Sequence, residues 1–335
     1  MIFLIQKTLI FTIPLLIVAL AGMYAERSGI INIALDGLMI FGAFVGALAA
    51  LLLRKNPFFV DHNQLTFLLA MLVAAIAGAL FSLLLSFSAI RLKADQTIGG
   101  TALNMLAPAI ALLIIKVFFT KDMLEMERAA DSSGTMKDFG FVILHDDLGP
   151  VGRIFFDKAY ISTFLAAGLF IVLSIFIYKT KTGLRLRSCG EHPQAAASVG
   201  IDVIRMRYLG TTISGALAGL GGYIYIATVA NGTASGAVAG MGFLALAIMI
   251  FGNWKPLGIA LGALLFGFLK CLGVIYAQIS IPIRGQDVYI LRDLDLPMYF
   301  YNLIPYVAVL IVLAFTSGSS RAPKAEGIPY DKGAR

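Results

Sequence analysis

Charged side chains are scarce in this chain: only 13% of its 335 residues are Asp, Glu, Lys or Arg, whereas 59% are hydrophobic. A soluble domain of this length needs a charged shell that such a composition does not supply, so the surrounding solvent must be lipid. The 34 glycines agree with this, because small residues let helices approach closely within a bilayer. The composition predicts an all-α polytopic membrane protein, with a single integral-membrane domain over residues 1–335.

Residues that carry out catalysis or bind metals are also few. The two cysteines, Cys189 and Cys271, lie in a polar and an apolar stretch, which indicates neither a disulfide framework nor a metal site. The three histidines, His62, His145 and His192, are far apart in loops without cysteine neighbours. The phosphate-binding pattern G-x-x-x-x-G-K-[ST] does not occur. We therefore expect no enzymatic activity, no metal and no cofactor in this chain.

The net charge of +7 is distributed unevenly. Residues 179–206 are rich in basic side chains and contain only Glu191 and Asp202 as acids, whereas residues 120–158 carry an excess of acids. The basic residues of the first segment are Lys179, Lys181, Arg185, Arg187 and Arg205, and Arg207 follows it directly. Because cytoplasmic loops are enriched in Lys and Arg, we predict a cytoplasmic loop at 179–206 and an extracytoplasmic one at 120–158. The pattern is not that of a nucleic-acid-binding surface.

Nine apolar runs are long enough to cross the ~30 Å core of a bilayer, which takes about 20 residues per helix. They cover residues 3–23, 33–53, 65–90, 97–119, 159–178, 207–230, 236–252, 256–279 and 299–316. Nine crossings place the N-terminus outside and the C-terminus in the cytoplasm. Arg54 and Lys55 then fall outside, against the charge rule, so eight to ten crossings remain open. The first run lacks a basic amino-terminal region and is interpreted as a retained helix. Trp254 is expected at the membrane interface.

Two segments are predicted to interrupt the helices. Ser28–Gly37 places Asn32 and Asp36 four residues apart in an apolar stretch, and Asn231–Gly236 separates the sixth and seventh runs. Non-helical backbone at membrane depth occurs where protein or a water-filled cavity surrounds it, and interrupted segments often mark a substrate path. Asp36 is therefore either a functional carboxylate or a cap for free backbone N–H groups. The second segment is either part of a path or an extracellular turn.

The amide of Asn104 is the other polar group that lies deep in an apolar run. It follows Gly99 and Gly100, and it can both donate and accept hydrogen bonds. This suits recognition of a ribose hydroxyl or a base edge, and it equally suits a hydrogen bond between helices. A weak echo between Gly78–Leu80 and Gly215–Leu217 indicates either two degenerate repeats or the chance likeness of apolar sequences.

The polar stretch Thr182–Ile201 lies between two long apolar runs. Within it, Pro193 and Gly200 bracket a run that can form about two helical turns, since proline suits the first helical position and glycine the position after the last. A short helix on the cytoplasmic side would allow a membrane protein to receive force from a soluble motor. The predicted coupling residues are Arg187, Glu191, Pro193, Ala195, Ala196 and Gly200.

Three stretches of the chain resemble, in this order, permease subunits of bacterial ABC importers. They are E-R-S-G-I-I-N-I-A-L-D-G (Glu26–Gly37), K-A-D-Q-T-I-G-G-T-A-L-N (Lys93–Asn104) and T-G-L-R-L-R-S-C-G-E-H-P-Q-A-A-A-S-V-G-I (Thr182–Ile201). The family includes branched-chain amino acid and simple-sugar permeases. The chain looks most like its nucleoside-import branch, which works with basic-membrane-protein lipoproteins.

The resemblance implies a subunit that forms half of a translocation path in the lipid of the bacterial inner or plasma membrane. The implied partners are a second permease subunit, a cytoplasmic ATPase that binds ATP and Mg²⁺, and an extracytoplasmic substrate-binding lipoprotein. The substrate-path candidates are Asn32, Asp36, Thr97, Asn104 and Asn231. Nucleosides are the expected cargo, with a simple sugar or a branched-chain amino acid as the alternative. The rival class is an ion-coupled secondary transporter, which needs carboxylates at the midplane, where the sequence offers Asp36 alone.

Overall fold

Helices make up most of the part of the chain that the computed structural model describes, which is residues 2–126, 141–142, 159–276, 281–283, 286–288, 297–316 and 321–331. The helices of the first half are α1 (Ile2–Arg27), α2 (Leu35–Leu53), α3 (Pro57–Asp61), α4 (Asn63–Ser86) and α5 (Gln96–Ile114). Those of the second half are α6 (Ile161–Lys179), α7 (Lys181–Glu191), α8 (Pro193–Ser198), α9 (Val203–Thr228), α10 (Met241–Phe251), α11 (Pro256–Ile275) and α12 (Met298–Thr316). The π-helical turns Phe87–Arg91 and Ile115–Phe119 extend α4 and α5.

Short strands complete the described secondary structure, in three antiparallel pairs. The pairs are β1 (Leu124–Glu125) with β4 (Thr233–Ala234), β2 (Phe141–Val142) with β3 (Ala159–Tyr160), and β5 (Ile281–Ile283) with β6 (Gln286–Val288). The first pair joins the two halves of the chain, because it links the segment after α5 to the segment after α9.

Each predicted apolar run contains a helix, and seven described helices are long and apolar enough to cross a membrane. This confirms the all-α polytopic class. The run at 236–252 is a partial correction, because its helix α10 has only 11 residues. At 1.5 Å per residue such a helix is about 16 Å long, roughly half the thickness of the hydrocarbon core. The residues before it, up to Gly240, are not helical.

At the centre of the bundle, α4 and α2 each pack directly against the backbone of α9, with no side chains between them. A Cβ atom added to Gly78 of α4 would overlap the carbonyl oxygen of Gly215 in α9, and one added to Gly42 of α2 would overlap the backbone of Gly219. Gly78 and Gly215 are the leading residues of the two echoing sequence stretches, so these stretches meet in space. Both α1 and α9 have 26 residues, and both are followed by a non-helical break and a further helix.

The predicted basic loop at 179–206 is largely helical, which corrects its description as a loop. Thr180 caps α7 by accepting a hydrogen bond from the backbone N–H of Gly183 at 3.0 Å. Leu186 and Cys189 of α7 are buried at a helical spacing, whereas Arg185 is exposed. The segment therefore forms an amphipathic helix whose basic side chains mostly face away from the protein.

The two ends of the bundle gather different parts of the chain. One end brings together residues 27–31, 91–96, 187–207, 253–255 and 321–331 through the contacts described below. The other end contains the β1–β4 pair, with a cavity lined by Arg54, Lys55, Lys121 and Glu125 among others. This separates the segments that we expected on opposite sides of the membrane. Most of the predicted acidic loop, 127–140 and 143–158, lies outside the described residues.

Candidate functional site

The break between α1 and α2 is stabilised by polar side chains from other helices. Gln96, at the start of α5, accepts a hydrogen bond from the backbone N–H of Ile31 at 2.7 Å. Asn32 is fully buried and donates from Nδ2 to Ser214 Oγ of α9 at 2.8 Å. The predicted interruption at 28–37 is therefore confirmed over residues 28–34. Its backbone groups find partners within the protein, as a lipid environment requires.

Asn104 uses both functions of its amide on this break. Its Oδ1 accepts from the N–H of Gly37 at 2.7 Å, and its Nδ2 donates to the carbonyl oxygen of Ile33 at 2.9 Å. Gly37 is in the first turn of α2, whose N-cap residue Ala34 provides no side-chain hydrogen bond. Asn104 thus supplies a cap to α2 from a neighbouring helix. Of the two roles left open by the sequence, the geometry favours the link between helices.

Asp36 caps a helix that lies far away in the sequence. Its Oδ1 accepts a hydrogen bond from the N–H of Gly242 at 2.9 Å, and the N–H of Phe243 is a second donor to the carboxylate. Both donors are in the first turn of α10, whose own N-cap residue, Gly240, has no side chain. A carboxylate at a helix N-terminus also interacts favourably with the helix dipole. The predicted capping role is present, but it serves α10 and not the break beside Asn32.

A second group of side chains supports the break before α10. The hydroxyl of Tyr306, in α12, donates to the carbonyl oxygen of Ala239 at 3.1 Å. Lys270, in α11, donates from Nζ to that same hydroxyl at 3.1 Å. The sequence analysis did not single out either side chain. Lys270 offered a signal, because an ionisable residue within an apolar run is a functional candidate by default.

Two predicted path residues lie apart from this group. Thr97 is exposed in the first turn of α5, and its backbone N–H donates to the Asp95 carboxylate at 2.8 Å. Hydrogen bonds from the N–H groups of Ile98 and Thr97 lower the pKa of the Asp95 carboxyl. Asn231 is exposed, with φ of 52°, just before the β1–β4 pair. Of the five candidates, Asn32, Asp36 and Asn104 are thus grouped by the first break, whereas Thr97 and Asn231 are not.

The predicted coupling helix forms α8, which begins at Pro193 and ends at Ser198, one residue short of the expected end. Gly200 follows it with φ of +84°, the left-handed conformation that commonly ends a helix. Ala195 is exposed, but Ala196 is buried against Cys189 and Val203. The outward surface is formed by Gln194, Ala195, Ser198 and Val199. Of the two alanines predicted to contact a partner, only Ala195 faces outward.

The other two predicted coupling residues, Arg187 and Glu191, make contacts within the chain. Glu191 forms an ion pair with Arg27, at the end of α1, with 3.6 Å between Oε1 and Nη1. Arg27 also donates from Nη2 to the carbonyl oxygen of Trp254 at 3.0 Å. Arg187 lies over the ring of Tyr178, with its guanidinium carbon 4.8 Å from the ring centroid. Glu191 therefore connects the start of α8 to the first break.

Trp254 corrects another expectation. It is buried, not placed at a lipid interface, and its indole N–H donates to Glu26 Oε2 at 2.6 Å. Glu26 is itself buried and receives a second hydrogen bond from the backbone N–H of Asn32. Glu26 opens the first of the three recognised stretches, but nothing in its local sequence indicated a partner more than two hundred residues away.

Comparison with known proteins identifies the family. A family model described as the branched-chain amino acid transport system permease component matches residues 4–313. The chain belongs to this family. This permease is therefore a multi-pass membrane protein whose relatives are permease components of ABC transport systems and not enzymes.

Two relatives cover the permease almost completely. The guanosine ABC transporter permease protein NupQ of Bacillus subtilis is 38% identical over 332 residues, which is 99% of this chain and 97% of the relative. The nucleoside ABC transporter permease protein NupC of Lactococcus lactis is 36% identical over 330 residues, 98% of this chain and 96% of the relative. A third relative, the guanosine ABC transporter permease protein NupP of Bacillus subtilis, is 24% identical over 280 residues, which is 83% of this chain and 76% of the relative. No solved structure matches the chain.

Proposed function

We propose that this permease imports nucleosides as the membrane subunit of an ATP-driven transporter. The observation that carries the proposal is its likeness, over nearly the full length, to permeases named for guanosine and for nucleosides. The region around α10 offers supporting chemistry. The rings of Phe243 and Tyr306 are exposed there, and Lys270 is hydrogen-bonded to the hydroxyl of Tyr306. Exposed aromatic rings can stack on a base, and a neighbouring cation can donate a hydrogen bond to its edge.

Uptake measurements test the cargo directly. The permease, produced with its partner subunits in cells that lack nucleoside uptake, should accumulate radiolabelled guanosine. Unlabelled adenosine or uridine should compete, whereas glucose, ribose and leucine should not. Competition by a sugar or by leucine, with no accumulation of any nucleoside, would assign the permease to one of the alternative cargoes.

The proposed assembly contains a second permease, a cytoplasmic ATPase that binds ATP and Mg²⁺, and an extracytoplasmic substrate-binding lipoprotein. The family supports the ATPase and the substrate-binding partner. Two different permeases named for guanosine occur in Bacillus subtilis, and both are similar to this chain. We therefore propose that the second permease is a distinct chain of the same family. A tagged copy of this permease should copurify with the second permease but not with untagged copies of itself.

We further propose that α8 contacts the ATPase through its outward surface, with the C-terminus on the same cytoplasmic side. The adjacent alanines provide a matched pair for the test. Ala195→Asp places a charge on the exposed surface, so we expect loss of uptake and of ATPase copurification with normal amounts of permease in the membrane. Ala196→Asp buries the charge within the permease, so the permease itself should become less stable. Normal uptake and copurification in the first variant would reject the coupling role.

A further inference from the structure

The C-terminal segment Arg321–Asp331, named here the strap, lies across the end of the bundle that carries α8. Its backbone N–H at Ala325 donates to the carbonyl oxygen of Gly190 at 2.8 Å, directly before Glu191 and α8. The carbonyl oxygen of Ile328 accepts from Nη1 of Arg207, in α9, at 3.0 Å. The strap is therefore bonded to elements on both sides of the predicted coupling helix.

The strap also contacts the first break and two turns. The N–H of Gly327 donates to the carbonyl oxygen of Gly29 at 3.3 Å. At one end of the strap, the N–H of Arg321 donates to Asn253 Oδ1 at 3.0 Å. At the other end, Asp331 Oδ2 is 2.9 Å from Lys93 Nζ in the turn before α5. A single segment thus joins the coupling region, the first break, and the turns that precede α5 and α11.

A tyrosine of the strap packs on the inner side of α8. Tyr330 contacts the buried cluster of Cys189, Ala196 and Val203. Ala196 is the residue of α8 that faces the protein, so the strap contributes to the surface on which α8 rests. Cys189 is fully buried, and burial raises the pKa of its thiol to about 11. Its accessibility can therefore report whether the strap is in place.

The strap places a second carboxyl group against Glu26. The carboxyl groups of Glu26 and Glu326 are hydrogen-bonded to each other, and Glu26 Oε2 also accepts from the indole of Trp254. The remaining oxygen of Glu326, Oε2, is buried and has no hydrogen-bond partner among the described residues. Two carboxylates cannot both be acceptors in one hydrogen bond, so a direct bond between these two groups requires that one of them is protonated.

The charged groups around this pair come from several helices. Arg27 of α1 is the cation that acts on Glu326, and it is already paired with Glu191 of α7. Arg207 of α9 lies nearby on the strap side, with Cys189 and Tyr330 as its titratable neighbours, and the Lys93–Asp331 pair is at the exposed end. Burial raises the pKa of Glu326 to about 7, against the opposing effects of the hydrogen bond with Glu26 and of the Arg27 charge.

We propose that the strap docks through a proton shared by Glu26 and Glu326, and that the docked strap positions α8 against the first break. The second part rests on the proposed coupling role of α8. The docked state binds the proton more tightly than the free strap, so the contribution of the proton to docking is fully present below pH 4.5 and is lost as the pH rises through about 7. Glutamine at position 326 would keep a hydrogen-bond donor without a titratable group.

Labelling of Cys189 tests docking in the permease alone. Cys271→Ser provides a background in which Cys189 is the only thiol. Ending the chain after residue 320 should raise the labelling rate of Cys189 at least about tenfold, because the rate follows the population of the open state. With the full chain, the ratio of the wild-type rate to the Glu326→Gln rate should rise by up to about tenfold per pH unit between pH 5 and 7. Ionisation of the Cys189 thiol changes the wild-type and the Glu326→Gln labelling rates equally, so it cancels from their ratio.

Asp331→Asn is the matched control, since it also replaces a strap carboxylate by an amide. It removes an exposed ion pair, so the labelling rate should change by less than about fivefold and equally at every pH. Equal labelling of the full and shortened chains would overturn docking. If the ratio of the wild-type to the Glu326→Gln labelling rate does not vary with pH, the proposal of a shared proton is wrong. This test remains valid even if the shortened chain fails to insert into the membrane.

The number of substrate molecules transported per ATP hydrolysed tests the positioning role in the assembled transporter. This number should fall as the pH on the strap side rises from 6 to 8, and in Glu326→Gln it should stay at the value seen at pH 6. A wild-type number that does not depend on pH, with strap docking established, would overturn the positioning role. Failure of the proposed coupling role of α8 is recognised separately. In that case Ala195→Asp would transport normally, whether or not the strap docks.

Discussion

The two breaks in the helical bundle are stabilised in different ways. At the first, between α1 and α2, amides of α5 bond the backbone: Gln96 accepts from Ile31, and Asn104 bridges Ile33 and Gly37. The second, between α9 and α10, depends more on its own conformation. Its residues with positive φ are Asn231, Gly232, Gly236, Ala239 and Gly240.

This difference separates a rigid part of the scaffold from a part that can change. Left-handed backbone costs roughly 1–2 kcal/mol for most non-glycine residues, so the second break stores strain at Ala239, whereas asparagine tolerates this conformation at position 231. Two outside side chains, Asp36 and Tyr306, support it at α10. We therefore expect the second break to move during transport and the first to remain in place.

The largest contrast expected between the two ends of the bundle is the side of the membrane that they face. Ser235 follows the β1–β4 pair and Ser198 ends α8, and both are exposed. Ser235→Cys should react with an impermeant thiol reagent in intact cells, whereas Ser198→Cys should react only after permeabilisation, because the charge distribution predicts that the basic segment is cytoplasmic. Native Cys189 is buried and is not informative about sidedness in the folded protein. The opposite labelling pattern would invert the topology.

The next largest effect should follow from removing the cap on α10. Asp36→Leu leaves the N–H groups of Gly242 and Phe243 without an acceptor, at a cost of about 2 kcal/mol or more for each in a non-aqueous environment. We expect a large drop in thermal stability and in the yield of purified permease. Asp36→Asn retains an acceptor oxygen and should restore most of both. Full stability of the leucine variant with loss of uptake would instead make Asp36 a functional carboxylate.

The smallest effect should come from Asn104→Leu, which breaks two hydrogen bonds at the first break. Such bonds contribute roughly 0.6–1.7 kcal/mol each in membranes, so the stability should fall moderately. Uptake per inserted molecule should remain close to that of the wild type, because the amide is occupied by the backbone. Thr97→Val, on the exposed face of the same helix, is the control. Loss of uptake at unchanged stability would return Asn104 to the substrate path.

Local sequence patterns were sufficient for the helices and for the two breaks. The apolar runs locate the membrane helices because each long run must satisfy its own backbone in lipid. Asn32, Asp36 and nearby glycines marked the first break, and Pro193 with Gly200 marked α8 to within one residue of its end. These features depend on residues close together in the chain.

The partners of the polar side chains could not be predicted in this way. Asp36 caps a helix that begins more than two hundred residues later, and Trp254 bonds Glu26 over a similar separation. The inward direction of Ala196 depends on Val203 and on Tyr330 of the strap. A single sequence shows that these side chains are unusual for their surroundings, but it contains no information about which distant element lies beside them.

The contact among Gly78, Gly215 and Gly219 has a mechanical consequence. Helices that touch through backbone atoms have no side-chain rotamers with which to absorb sliding, so we expect α4 and α9 to move as one body. In any rearrangement that opens the permease alternately to either side, the other helices would then rotate relative to the fixed pair α4 and α9. Even Gly215→Ala should separate the two helices, and it would weaken this pair without touching a group that binds cargo or ATPase.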